Sequence, residues 1–423
     1  AAPGRVRGLW SGVFQWYREQ EPYRERTALL QRAAVYTNAA QQLPERQMAQ
    51  LYHSGLNTSV SRLERYSQCP FSYFIEYTLK AKERKVLKLG APDIGSLLHA
   101  VLEAFTKRIM QEGKAWREID EDYCEAAVTT IIDELCEGIF AGSPLMGKAT
   151  QYLLLRLKRS LVRCAKLVVL HIAAGRFEPV GSEVRFGSDG QLRAVVVDLT
   201  SGKKLKIHGL IDRVDACETE DGTYYRVIDY KSGSKTFSLE NIYHKLDLQL
   251  VVYLDAAMQQ KRGAKPAGML YFRIQEPMTA AAGPMSEEEA AAAVQESMKL
   301  DGLVLNDEGV IADMDRNYRE GSAFLPVKMN KNGSIRINSS VATMQQFRVL
   351  SDYVKGTLRQ IGDSILHGKI DIAPYKNGEQ SPCSYCAYKS VCKFDVSRPG
   401  NGYRKCGKVK AAEVWEKLGE NRV

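Results

Sequence analysis

Apolar positions along the chain follow two alternating periodicities. Over residues 94–109, Ile94, Leu97, Leu98, Val101, Leu102, Phe105 and Ile109 recur three or four apart, which predicts an amphipathic helix with His99 at its edge. Residues 151–174 predict a second long helix, with Leu153, Leu154, Leu157, Leu161, Leu167 and Leu170 on its buried side. The period then shortens to two. Four strand-like segments, 181–186, 192–199, 205–216 and 223–231, are separated by Asp189-Gly190, Ser201-Gly202 and Asp221-Gly222. Such pairs favour the tight turns of hairpins, so the segments predict an antiparallel meander. A helix over 241–261 and a strand over 268–274 follow, then an acidic, Ala-rich helix over 286–299 and a long one over 341–366. A helix–sheet–helix–strand order of this kind predicts mixed α/β layers.

Ahead of this pattern, residues 13–51 read as helical pieces of mixed charge, such as 16–30. Ser59 or Ser61 stands where it can cap a short helix that delivers Cys69-Pro70-Phe71. A chain of 423 residues accommodates one large domain with helical additions, or two apposed ones. A hydrophobic fraction of 44% and a charged fraction of 26%, with no apolar run of bilayer length, exclude a membrane-spanning protein. No basic leader precedes an apolar stretch and cleavage site, and the start Ala1-Ala2-Pro3 without Met fits a processed chain or a segment of a longer one.

The formal charge of +9 favours a polyanionic partner, because cations that neutralise phosphates release condensed counterions. Nine cysteines, an odd number without an export signal, argue against a disulfide framework and for a reducing cytoplasm. Cys383-x2-Cys386-x5-Cys392 lets three thiolates converge on one ion or cluster. Spacing alone leaves open whether it holds zinc or iron–sulfur, and whether Cys69 or Cys406 supplies the fourth ligand. Cys124, Cys136, Cys164 and Cys217 lie in helix or strand patterns and read as core residues.

The chemistry concentrates in two adjoining strands. In Lys206-Ile207-His208-Gly209-Leu210-Ile211-Asp212-Arg213-Val214-Asp215, alternation sets Leu205, Ile207 and Ile211 on one face and His208, Leu210, Asp212 and Val214 on the other. In the next strand Asp229 and Lys231 are two apart and project together, with Tyr230 turned away. Carboxylates from adjacent strands suit Mg²⁺, which takes few protein ligands and keeps waters, and a lysine beside them can hold an attacking water and offset charge on phosphorus. Gln249 and Tyr253, four apart on a helix, share a face from which they can orient Lys231 or touch a nucleic-acid backbone. An imidazole from His99 would shift metal preference toward Mn²⁺. Asp-x-Lys at a strand end is by itself often a surface ion pair; the combination carries the reading.

Gly95-x3-His99, Gly209-x2-Asp212-Arg213-Val214-Asp215, Val227-Ile228-Asp229-Tyr230-Lys231-Ser232-Gly233 and Gln249-Leu250-x2-Tyr253, in that order, resemble the motifs of RecB-type nucleases of the PD-(D/E)XK (restriction-endonuclease-like) superfamily. Framed by Cys69, Cys383, Cys386 and Cys392, and joined by Ser59-Val60-Ser61-Arg62-Leu63-Glu64 and Pro92-Asp93-Ile94-Gly95, they resemble more closely the C-terminal nuclease domain of the AddB family. Members of that family are subunits of AddAB helicase–nucleases. The likeness covers residues 51–394.

The resemblance implies an α/β core with a mixed sheet flanked by helices. It also implies His99, Asp212, Asp229 and the Tyr230 carbonyl as metal ligands, Lys231 as catalytic residue, and a [4Fe–4S] cluster on the four cysteines. Closing a loop from 69 to 392 would make that cluster a structural staple worth a few kcal/mol. The implied role is processing of DNA double-strand breaks with an AddA-like partner, cutting the 5′-ended strand. No Gly-x4-Gly-Lys-[Ser/Thr] phosphate loop occurs here, so ATP use would belong to other parts. Residues 1–50 then read as the tail of a helicase-like region, 51–406 as the nuclease domain and 407–423 as a C-terminal tail. A competing reading is a DNA-binding, cluster-stabilised scaffold whose nuclease is silent without its partner.

Overall fold

Among the described residues, eight strands form one mixed sheet: β1 (Leu56–Ser59), β2 (Glu178–Phe186), β3 (Val195–Asp198), β4 (Lys204–Thr219), β5 (Gly222–Lys231), β6 (Lys265–Arg273), β7 (Asp301–Leu305) and β8 (Val341–Ala342). The computed structural model describes residues 3–34, 38, 40, 42–82, 91–140, 148–233, 235–274, 299–398 and 401–420, with isolated positions between 283 and 296. The helix anticipated over 286–299 lies largely outside them.

β4 is the axis of the sheet. Its first half pairs with β1 in parallel, Leu56 opposite Leu205, and with β3 antiparallel, Val195 opposite Ile207. Its second half pairs antiparallel with β2 and β5, ending on the β5 side at Arg213 opposite Ile228. β6 joins β5 in parallel, β7 runs antiparallel to β6, and β8 is parallel to β7.

The meander is realised only in part. The β3–β4 and β4–β5 connections are hairpins at Ser201-Gly202 and Asp221-Gly222, but β2 and β3 both pair with β4 instead of with each other. Residues 187–194 make an excursion between them that folds back on its own strand through Leu192 N–H to the Arg185 carbonyl, 3.0 Å. Gly190 makes this possible: a Cβ there would meet the Arg185 carbonyl oxygen at 2.5 Å.

The alternation assigned to β4 likewise holds only for its first half, where Leu205 and Ile207 are buried between exposed Lys204 and Lys206. From Ile211 to Asp215 every residue is buried, and so is β5 from Thr223 to Tyr230, as expected of strands covered on both faces. Asp215 sits in this interior, accepting from Arg213 Nη2 at 3.1 Å and Arg226 Nε at 2.8 Å. Asp215 and Arg226 are direct cross-strand partners. Breaking such a buried set would strand a charge, so it pins β4 to β5 in register.

Helices cover the sheet. Ala91–Glu112, Glu121–Phe140 and Lys148–Ala173 pack on one another. The last buries Leu161, Cys164, Ala165, Val168 and Ile172; Leu170, assigned to the buried side, lies half a turn round from that stripe and is 49% exposed. Helix Gln249–Met258 packs on β5 and β6 and is covered by Met344–Leu366. The latter begins at a Thr343–Gln346 capping box, after Val341 and Ala342 have joined the sheet as β8.

The helix that periodicity predicts over 241–261 is broken in two, Leu239–Tyr243 and Gln249–Met258, with Lys245 at φ 65° between them. The break lets Asp247 turn inward to accept from Tyr271 OH at 2.7 Å. Helix Ala411–Glu420, in the segment read as a tail, buries Val414 and Leu418. Among the described residues no helix is long and apolar enough to cross a membrane.

Candidate active site and metal centre

The β4–β5 ladder stops at Arg213 opposite Ile228, and the next residues on each strand, Asp212 and Asp229, flank the resulting fork. Asp212 is held across it: its Oδ2 accepts the Tyr230 backbone N–H at 2.6 Å. The Tyr230 carbonyl leaves the strand on the same edge as that N–H, toward Asp212. The tyrosine ring packs inward, edge-on to His99 at 5.9 Å between centroids.

Helix Ala91–Glu112 delivers His99, whose Nδ1 lies 3.4 Å from Asp212 Oδ1. Burial opposes protonation of His99, but the carboxylates of Asp212, Asp229 and Glu183 outweigh it and hold its pKa above the usual value. Glu183 is the residue that reading the sequence missed. It lies on β2 between Ser182, opposite Arg213, and Val184, opposite Ile211, and its φ of 52° is rare for a non-glycine residue. Ligand atoms of His99, Glu183 and Asp212 lie within 4.8 Å of one another. Burial first, then Asp212 and Glu103, push the Glu183 carboxyl up to about 7. Acidic groups crowded enough to disfavour ionisation are what a bound cation would relieve.

On the other arm of the fork, Asp229 forms an ion pair with Lys231 and accepts from Gln249 Nε2 at 2.9 Å. Lys231 Nζ donates to Gln249 Oε1 at 3.1 Å, so one amide bridges carboxylate and ammonium. The same Nε2 donates to Tyr253 OH at 2.9 Å, which fixes the amide's orientation. Burial raises Asp229 to about 6, with Asp212 adding to the shift and Lys231 opposing it.

Behind this group the start of helix Gln249–Met258 is capped from outside. Glu64 Oε1 accepts the N–H groups of Leu248 at 2.6 Å and Gln249 at 3.1 Å. Beside it Lys235 pairs with Asp247 at 2.8 Å. The arrangement therefore combines three clustered ligand atoms for a hard cation, a third carboxylate in Asp229 and an ammonium locked to it.

A family model described as the PD-(D/E)XK nuclease superfamily matches residues 57–393. The chain belongs to the PD-(D/E)XK nuclease superfamily. Nucleases of this superfamily use divalent metals, and the donors of His99, Glu183 and Asp212 fit one.

The chain is 37% identical over 420 residues to a protein of Acetivibrio thermocellus named as a subunit of an ATP-dependent helicase/deoxyribonuclease, covering 98% of this chain and 37% of that protein. It is 38% identical over 419 residues to the protein of the same name from Clostridium novyi, with 98% and 37% covered. It thus spans just over a third of the length of these relatives.

The PD-(D/E)XK core is bordered by the cysteines. Cys69 ends helix Val60–Gln68, and its thiol lines one cavity with Cys383, Cys386 and Cys392, among Phe71, Pro374 and Phe394. Cys406 instead faces a different cleft, beside Arg404 and Tyr353. Burial pushes the Cys69 thiol up, and burial together with the neighbouring thiols raises Cys392 to about 11.

Proposed function

We propose that the chain is a metal-dependent deoxyribonuclease, the nuclease part of an AddB-like helicase–nuclease subunit that processes DNA ends with an AddA-like partner in the cytoplasm. The observation that carries this is the convergence of His99, Glu183 and Asp212 beside the Asp229–Lys231–Gln249 set. Superfamily membership and the names of the relatives support it.

In this reading His99, Asp212, Asp229, Glu183 and the Tyr230 carbonyl hold Mg²⁺ or Mn²⁺. The ion when bound would supply charge stabilisation to the phosphodiester under attack. Lys231 holds the attacking water and offsets charge on the phosphoryl oxygens, while Gln249 and Tyr253 keep Lys231 aimed. The four cysteines carry a structural [4Fe–4S] cluster, and the strand cut is the 5′-ended one.

Asp229→Ala tests the site. Cleavage of linear DNA in Mg²⁺ should disappear while the variant still binds DNA; cleavage at the unmodified rate would overturn the reading. A chain that binds DNA but cuts only after an AddA-like partner is added would support the scaffold reading instead.

A further inference from the structure

A second concave surface lies just ahead of Gln249 in the chain. A cleft of about 970 Å³ is lined by residues that include His244, Lys245, Tyr353, Gln360, Arg404 and Lys405. Asp352 is the acidic side chain among the lining residues, and Glu240 stands near Cys406 at its edge. The cleft is therefore cationic, and its volume suits a nucleotide.

Lys245 is oddly placed for a surface lysine. It closes helix Leu239–Tyr243 at φ 65°, with its N–H on the Ile242 carbonyl at 2.9 Å and the Leu246 N–H on the Asn241 carbonyl at 2.8 Å. Glycine is the usual residue at such a helix end, because a Cβ makes that backbone costly. The lysine's Nζ reaches Gln360 Oε1, a neutral partner, at 2.8 Å. Burial and the Arg404 guanidinium both hold its ammonium below the usual pKa. Two cations thus face each other where an anion would relieve both.

Two of the residues lining the cleft are aromatic. The rings of Tyr243 and Tyr353 stack at 6.2 Å and 15°, and Lys417 Nζ lies 5.7 Å from the Tyr243 ring centre. Aromatic faces beside cations are the combination that holds single-stranded nucleic acid, bases on rings and phosphates on ammonium groups. The cleft is tied firmly to the catalytic group. Helix Val60–Gln68, whose Glu64 caps the Gln249 helix, also offers the Ser67 carbonyl to Arg404. Tyr243 and Gln249 are six residues apart, so their backbones lie within about 20 Å, the rise of about six stacked nucleotides.

We propose that this cleft is a second polynucleotide contact, taking the phosphodiester groups of a single strand within about six nucleotides of the bond being cut. It rests on the nuclease reading, and its test is kept separate from that reading.

The test uses the Lys245→Asn, Lys405→Gln double variant. Asn tolerates the left-handed backbone, and Arg404, which holds Ser67, is left in place. Binding of labelled 16-mer and tetramer single strands is measured by anisotropy in EDTA over a salt series. Losing two phosphate contacts should reduce the log K against log salt slope by about 1.4 for the 16-mer. The tetramer slope, and tetramer cleavage in Mg²⁺, should not change. Exposed Lys405→Gln alone should give half the change, which keeps the test open should the double variant be unstable. An unchanged 16-mer slope, or an equal fall for both lengths, overturns the proposal. Failure of the unmodified chain to cut either strand would refute the nuclease reading, while the metal-free slopes still decide the cleft.

Discussion

The Asp212 carboxylate accepts the backbone N–H of Tyr230 at 2.6 Å, immediately past the last paired residues of β4 and β5. One bond both orients the carboxylate proposed to bind the metal and satisfies a donor that the fork would orphan. Two substitutions separate these roles. Asp212→Asn keeps an acceptor for the N–H, so its melting temperature should match the unmodified chain while cleavage falls about a hundredfold or more. Asp212→Ala should lose cleavage equally and also about 1–3 kcal/mol of stability. Equal melting of the two variants would show that the bond has no structural weight.

Gln249 touches both Asp229 and Lys231, so its removal should disturb chemistry more than substrate capture. Gln249→Ala should lower kcat by about 10- to 100-fold, the usual cost of losing such a supporting contact, with KM little changed. Steady-state kinetics on a short duplex would check this. A rise in KM with kcat intact would place Gln249 on the DNA instead.

Glu64 gives the fold a pH dependence. Burial raises its carboxyl from 4.5 to about 7, against the opposing pull of Lys235. A raised folded-state pKa means that protonation favours the folded chain. The contribution is complete below pH 4.5 and is lost as pH rises through about 7, up to about 3 kcal/mol in all. Glu64→Gln mimics the neutral acid and still accepts from Leu248 and Gln249. Urea unfolding should therefore show the variant equal to the unmodified chain at pH 5 and more stable at pH 8. A variant less stable at both values would mean that the charge itself is needed.

Cys69 and Cys406 are the two cysteines between which spacing alone does not choose. Cys69 shares a cavity with Cys383, Cys386 and Cys392, and Cys406 does not. Cys69→Ser should lose iron and sulfide and melt lower, because ligand binding is coupled to folding. Cys406→Ser should retain both. Stoichiometric zinc without sulfide in anaerobically purified chain would contradict the iron–sulfur assignment.

What could be read from the sequence follows physical range. Asp229 and Lys231 are legible because strand alternation fixes their common side over two residues, and the Gln249–Tyr253 pair because helical spacing does so over four. Glu183 is not legible, since its nearness to Asp212 depends on how β2 registers on β4, which no local pattern encodes. The break at Lys245 is hidden by apolar residues that continue a helical period through it, Ile242, Leu246 and Leu250 standing four apart. The side-chain contacts made at the break are long-range, Asp247 with Tyr271 and Lys235, and Leu248 and Gln249 with Glu64.

β4 also limits how sequences of this kind can change in length. It pairs with β1 and β3 over one half and β2 and β5 over the other, so an inserted or deleted residue near Gly209 would turn Asp212 to the opposite face and misalign ladders on both sides. The excursion at 187–194 is under no such constraint, because β2 and β3 are each anchored to β4 independently. Natural variation in length should therefore collect in that loop, leaving the spacing from Gly209 to Asp229 nearly fixed.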